Sequence, residues 1–209
     1  MSETPDKVGA RRVYLKDVRL SFPKLKNPTA SVKGGEKKRR AVFLIDPTTD
    51  SGKKNIKNLK AAVAAVVAEL WDGKMPVLKD DRKCVFKGEG PQGRNKETGE
   101  IYEGYDGMVC VKAATADMPT LLHRNKAVVE FEQIDQVFFG GCQVEGIVTL
   151  YGVKGQDKGG NGIFAGLNGV RFWKEDTAFG ASRVTAEDFD DDEGDDFQEG
   201  TAEDNDLGF

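Results

Sequence analysis

The sequence predicts a mainly β fold, a small antiparallel barrel with one inserted amphipathic helix and long loops, followed by an acidic tail without structure. Three observations predict it. Short runs rich in β-branched and aromatic residues recur as far as Trp173, a single run has helical period, and the composition changes completely after Arg183. A chain of 209 residues can build one domain with a sizeable core plus appendages. The expected division is a core over 1–183 and a tail over 184–209.

Val13, Leu15, Val18, Leu20 and Phe22 mark a first strand with an irregularity near Lys16 and Asp17. Pro23 is expected to stop it, since proline cannot donate to a ladder. Lys24 to Glu36 mixes prolines, glycines and lysines without period and reads as a mobile loop. Arg40 to Ile45 is the second strand, ended by Asp46-Pro47.

Ile56, Leu59, Val63, Val66, Val67 and Leu70 recur at helical spacing, which predicts a helix from about Lys53 to Trp71. Asp50 or Ser51 would cap it, and Gly73 with Pro76 would end it. Lys54, Lys57 and Lys60 on its outer face read as the ordinary solvated side of an amphipathic helix. Further strands are expected at Lys83 to Lys87, Met108 to Ala113, Ala127 to Phe131, Gln143 to Val153, Ile163 to Leu167 and Val170 to Trp173. A polar, Gly-rich loop over Gly88 to Gly104 interrupts them. Phe22, Phe43, Phe131 and Phe139 are assigned to the core.

The formal charge of −4 conceals a division, because all 31 Lys and Arg lie at or before Arg183 while 12 of the 35 acids follow it. Residues 1–183 therefore carry about +8 and the remainder about −12. A basic core implies an anionic partner, and Coulomb attraction lets the tail visit the same surface. Cys84, Cys110 and Cys142 lie far apart among apolar residues, without a CxxC pair, and read as buried thiols in a reducing compartment. Neither a signal peptide nor an apolar run of the roughly 18 residues needed to span a membrane is visible, so a cytosolic protein is expected.

Catalysis requires convergent groups, and the chain offers no paired motif around its one histidine, His123. No enzyme, metal or cofactor is expected. Binding a single nucleic-acid strand requires cations along a groove and flat rings on which bases stack. Lys37, Lys38, Arg39 and Arg40 open the second strand, where alternation directs some of them onto one face. Lys87, Arg94 and Lys112 join them as phosphate neighbours, with Lys24, Lys26 and Lys33 nearby. Tyr102 and Tyr105, in a polar Gly-rich setting, and then Trp173 are the stacking candidates.

At GGCQVEGIVTLYGV (Gly140 to Val153), GIFAGLNGVRFWKED (Gly162 to Asp176), AEDFDDDEGDD (Ala186 to Asp196) and FPKL (Phe22 to Leu25), the chain resembles a bacteriophage family of single-stranded DNA-binding proteins. The resemblance implies an OB-like barrel and sequence-tolerant binding of single-stranded DNA during phage replication, recombination or repair in the cytoplasm of an infected bacterial host. The acidic, Phe-terminated end is similar to the tails of such proteins. Asp204, Asp206, Leu207 and Phe209 would then dock on a phage or host polymerase, helicase or primase, while the tail competes for the DNA groove. Two other readings stand beside it: an acidic-tailed interaction hub or DNA-mimic chaperone, and an annealing recombinase. Homo-oligomers are left open.

Overall fold

The computed structural model describes residues 9–30 and 34–180. The predicted tail, with Asp204, Asp206, Leu207 and Phe209, lies outside the described residues, as does Lys33. Among the described residues seven strands and two α-helices follow in order, with short 3-10 turns between some of them: β1 (Arg12–Ala30), β2 (Lys37–Ile45), α1 (Asp50–Trp71), β3 (Val85–Lys87), β4 (Val109–Thr115), β5 (Thr120–Leu122), α2 (Ile134–Val137), β6 (Gln143–Val153) and β7 (Gly162–Lys174).

Five strands close on themselves. β1 pairs antiparallel with β2 and β6, β2 with β4, and β6 with β7, while a parallel bridge between Ala114 and Gly166 joins β4 to β7. The circuit β1-β2-β4-β7-β6 is thus a small barrel with one parallel seam, the OB-like topology that the resemblance implied. That seam is short, and Cys84 reinforces it: its N–H donates to Ile163 O at 2.8 Å, and its carbonyl accepts from Lys112 N at 2.9 Å. Closure gives each of these five strands two neighbours in the circuit and leaves the three-residue β3 and β5 as the edges among the described residues, too short to invite much pairing with other chains.

Alternation fills the interior. Val13, Leu15, Phe43, Ile45, Val148 and Leu150 are each at most 3% exposed. Phe43 fits because Gly146 stands opposite, where a Cβ would lie 2.7 Å from the ring. α1 packs on β1 and β6 and adds Leu59, Ala62 and Val66 to the same core. Burying a leucine or valine side chain contributes about 1.5–3 kcal/mol.

The helix begins earlier than its apolar period predicts. Its N-cap is Thr49, whose hydroxyl accepts from Gly52 N at 3.0 Å, not Asp50 or Ser51. Its buried face is rotated toward Asn55, Leu59, Ala62 and Val66, leaving Ile56, Val63 and Leu70 partly buried. Asp72 ends it in the left-handed conformation.

β1 departs furthest from expectation, because Pro23 does not stop it. The strand runs on to Ala30, absorbing the proline where its register with β2 slips between Ser21 and Lys24. The two runs expected at Ile163 to Leu167 and Val170 to Trp173 are one strand with a bulge opposite Ile147 and Val148. Ala127 to Phe131 forms no strand; Val128 makes one bridge to Leu122, and β5 and α2 arise nearby. The three cysteines are buried, and burial pushes the Cys84 and Cys110 thiols up to about 12.

The irregularity at Lys16 and Asp17 is a β-bulge, with Asp17 at φ 50°. Asn55, 2% exposed on α1, satisfies the backbone that the bulge frees: its Oδ1 accepts from Lys16 N at 3.2 Å and its Nδ2 donates to Lys16 O at 2.7 Å. Asn55→Ala leaves both groups without these partners and is expected to cost about 2–4 kcal/mol. A urea midpoint within error of the unaltered chain would disprove that role.

Candidate nucleic-acid interface

The outer face of β2 and β4 forms the floor of a groove of about 600 Å³. Inward Ala41, Phe43 and Ile45 put Lys38, Arg40 and Val42 outside, and inward Val111 and Ala113 likewise put Lys112 and Ala114 there. On the far wall stand Tyr151 and Val153 of β6 with Phe164 of β7. Tyr151 and Phe164 are register partners, their ring centroids 5.8 Å apart and tilted by 33°. Phe22 closes the other end, half-exposed, with Tyr102 edge-on at 4.8 Å. The groove thus offers apolar aromatic faces beside cations.

The cations differ in freedom. Lys38 is paired with Glu36 at 2.9 Å, and that hydrogen bond holds its ammonium above the usual lysine range. Arg40 donates to Thr29 O at 2.5 Å across the β1–β2 pair. Lys112 is half-buried, donating to Asp81 O at 2.8 Å and to Gln92 Oε1, and burial lowers its pKa. Its role is therefore to anchor the 81–92 segment beneath the groove as much as to present charge.

Other predicted cations are not gathered here. Lys37 is exposed at the start of β2 opposite Ala30, and Arg39 faces the other way and donates to Ala116 O at 3.2 Å. Lys87 is exposed at the end of β3, outside the groove lining. Arg94 is tied to its own loop through Glu89 O and Gly99 O, both at 3.0 Å.

The aromatic assignments change most. Tyr105, expected to be exposed, is 1% exposed; its hydroxyl donates to Ser21 Oγ at 3.2 Å, and burial raises its pKa. It fills a small outer cluster with Leu44 and Cys110 under the Gly-rich loop, so it cannot stack on a base. Tyr102 is partly buried against that cluster and braces Phe22. Trp173 lies off the groove, with the Arg124 guanidinium 4.5 Å from its ring centroid.

Phe22, assigned to the core, is 50% exposed, and Phe131 is 46% exposed, whereas Phe43 is buried and Phe139 packs on the core. At φ 45°, Phe22 breaks the alternation: Ser21, paired with outward Val42, is buried beneath Tyr105, and Phe22, which parity would turn inward, faces out as well. Its only sequence signal is the proline that follows. Tyr151 was legible, since the inward period of Val148 and Leu150 places it outside.

Arg82 holds the wall in place. Its guanidinium donates to Asn161 O, Lys158 O and Gly160 O at 2.8–3.0 Å and sits 5.2 Å from the Phe164 ring centroid. It thereby orders the loop between β6 and β7, in which Gly155, Gly159 and Gly160 adopt positive φ.

Among the described residues no group of three His, Cys, Asp or Glu could hold a metal, and no helix is long and apolar enough to cross a membrane. The family model for the single-stranded DNA-binding protein of Enterobacter phage Enc34 matches residues 11–199. The chain belongs to the Enc34 single-stranded DNA-binding protein family.

A relative within reach of sequence comparison is protein p50 of Acyrthosiphon pisum secondary endosymbiont phage 1. It is 31% identical over 190 residues, covering 86% of this chain and 93% of the relative. The solved Enc34 protein in complex with single-stranded DNA is 21% identical and superposes with a TM-score of 0.68, covering 85% of this chain and 97% of that one. The single-stranded DNA-binding protein gp2.5 of bacteriophage T7 is 10% identical with a TM-score of 0.52, covering 80% and 93% respectively. At these identities the likeness is one of fold, the Enc34-family barrel with its inserted helix.

Arg82→Ala is expected to release the β6–β7 loop, since three charge-assisted hydrogen bonds are lost at once. Amide exchange over residues 154–161 should accelerate by at least about tenfold while the barrel strands stay protected. Unchanged exchange there would show that the loop is ordered without Arg82.

Proposed function

We propose that this chain binds single-stranded DNA with little sequence preference, the strand lying along the groove between the β2–β4 face and the Tyr151–Phe164 wall. The observation that carries the reading is the convergence of exposed Phe22 and Tyr151 with Lys38 and Arg40 in one groove. A single strand presents flat base faces together with phosphates, whereas a duplex hides the faces. Every base has such a face, which makes the binding sequence-tolerant.

Two further facts support it. The Enc34 protein has been solved with single-stranded DNA. Five-stranded barrels of this topology hold oligonucleotides on their second and third strands, between the loops joining the first to the second and the fourth to the fifth. Here those strands are β2 and β4; the described residues 34–36 precede β2, and 154–161 join β6 to β7. Phosphate entering the groove would replace Glu36 as the partner of Lys38.

The function that follows is to coat and protect single strands during phage DNA replication, recombination or repair, in the cytoplasm of an infected bacterial host. Segment 184–209, at about −12, recruits a polymerase, helicase or primase through Asp204, Asp206, Leu207 and Phe209 and competes with DNA for the groove. Its point of departure supports the competition. Phe179 packs on the same Leu44–Tyr105–Cys110 cluster as Tyr102, the neighbour of Phe22, and Gly180 N donates to Glu103 Oε2 at 2.8 Å. The chain therefore leaves the described core at the Phe22 end of the groove.

Affinity for oligonucleotides should fall linearly with salt on logarithmic axes, by about 0.7 per phosphate neutralised. Phe22→Ala and Tyr151→Ala should each weaken binding by about 1–3 kcal/mol. Equal or tighter binding to duplex DNA would refute the reading. Removing residues 184–209 should tighten binding at low salt and abolish capture of the replication partner. Unchanged affinity excludes the competition, and an intact partner complex excludes the docking role.

A further inference from the structure

A second cleft, of about 390 Å³, lies on the outer faces of β1, β6 and β7. Arg12, Tyr14, Lys126, Ile147, Asn168 and Arg171 line it. Tyr14 is 41% exposed, and the Lys16 ammonium stands 5.4 Å from its ring centroid. Arg171 is held rigidly, donating through Nε to Glu145 at 2.6 Å and through Nη2 to the Tyr14 hydroxyl at 3.3 Å. Glu145 is 7% exposed, so the one carboxylate here is buried beneath its arginine, while Arg12 and Lys126 stand exposed at the rim. Partial burial and the Glu145 carboxylate push the Tyr14 phenol up to about 12. Beyond Arg171, Trp173 continues the face under Arg124.

The cleft is continuous with the groove. Along the outward face of the β6–β7 ribbon, register pairs run Tyr151 with Phe164, Thr149 with Gly166, Ile147 with Gly169 and Glu145 with Arg171. The first pair is the groove wall and the last two belong to the cleft. Between them Thr149 and Gly166 form a low saddle of small side chains, with Arg12 of β1 across from Thr149 and the Thr149 hydroxyl donating to Asn168 Oδ1 at 2.8 Å. Tyr151 to Glu145 spans six residues, or about 20 Å of extended backbone. An aromatic face, fixed cations and small polar groups recur at both ends of this path.

We propose that the Tyr14–Arg171 cleft is a second contact site for the same single-stranded DNA, reached over the Thr149–Gly166 saddle, so that one molecule holds a longer strand than the groove alone. It rests on the reading of the groove as a single-stranded DNA site. A footprint extended in this way stays within the roughly 4–16 nucleotides that one such barrel occupies.

The test uses the full chain with oligothymidylates of about 6 and about 16 nucleotides, lengths chosen within that range. Arg12→Ala/Lys126→Ala and Tyr14→Ala should each weaken binding of the long oligonucleotide roughly tenfold and leave the short one unchanged. Tyr14→Phe keeps the ring and should bind the long oligonucleotide as the unaltered chain does. Trp71 being buried, a fluorescence change specific to the long oligonucleotide would report Trp173. Equal losses at both lengths, no loss at either, or tighter binding of the long oligonucleotide would overturn the proposal; the last would identify the cleft as a seat of the acidic tail. If the unaltered chain binds neither length, the groove reading fails instead.

Discussion

One strand has to serve two partners, and the rest of the barrel depends on how β1 does so. Its first half pairs with β6 and its second half with β2, so the strand must turn as it passes from one neighbour to the other around the barrel. It turns through two residues at positive φ, Asp17 and Phe22, neither of them glycine. Such positions each cost of order 1–3 kcal/mol and persist only where the surroundings hold them. At Asp17 the holder is Asn55, which ties the bulge to α1. At Phe22 the reversal turns outward a ring whose parity is inward and leaves it half-exposed at the end of a cationic groove, braced by Tyr102. A constraint of barrel closure thus generates a feature of the groove.

The β6–β7 ribbon shows the same economy. Because side chains alternate, one hairpin supplies core on its inner face through Val148, Leu150 and Leu167, and the groove wall on its outer face through Tyr151 and Phe164. The two faces are coupled: Arg82 braces the loop that joins the strands, and Gly152 leaves room for Val66 and Leu70 of α1 behind the wall. The inserted helix therefore stiffens the ribbon that carries the rings.

Charge is arranged less simply than a net of about +8 over residues 1–183 would imply. Several of the cations are committed to the fold: Lys112 and Arg94 to loop carbonyls, Arg171 to Glu145, Arg19 to Gly141 O and Thr177 O. These set the shape of the surface. Lys38 is held only by an exposed carboxylate, and Arg12 and Lys126 stand exposed, so these can exchange their surroundings for phosphate without dismantling the barrel.

By itself the sequence determined what local periodicity and composition encode. The limits of β6 at Gln143–Val153, the existence of α1, the burial of three cysteines and the opposed charges of 1–183 and 184–209 were all legible there. Tertiary structure alone decided which aromatic rings face outward. Tyr105 sits in a polar, Gly-rich run yet is buried, because that loop folds back over Leu44 and Cys110; Phe22 has the parity of a core residue yet is exposed, because β1 reverses there. The physical reason is common to both. Burial belongs to contacts between segments far apart in the chain, and a single positive φ or a folded-back loop inverts the face that local alternation assigns.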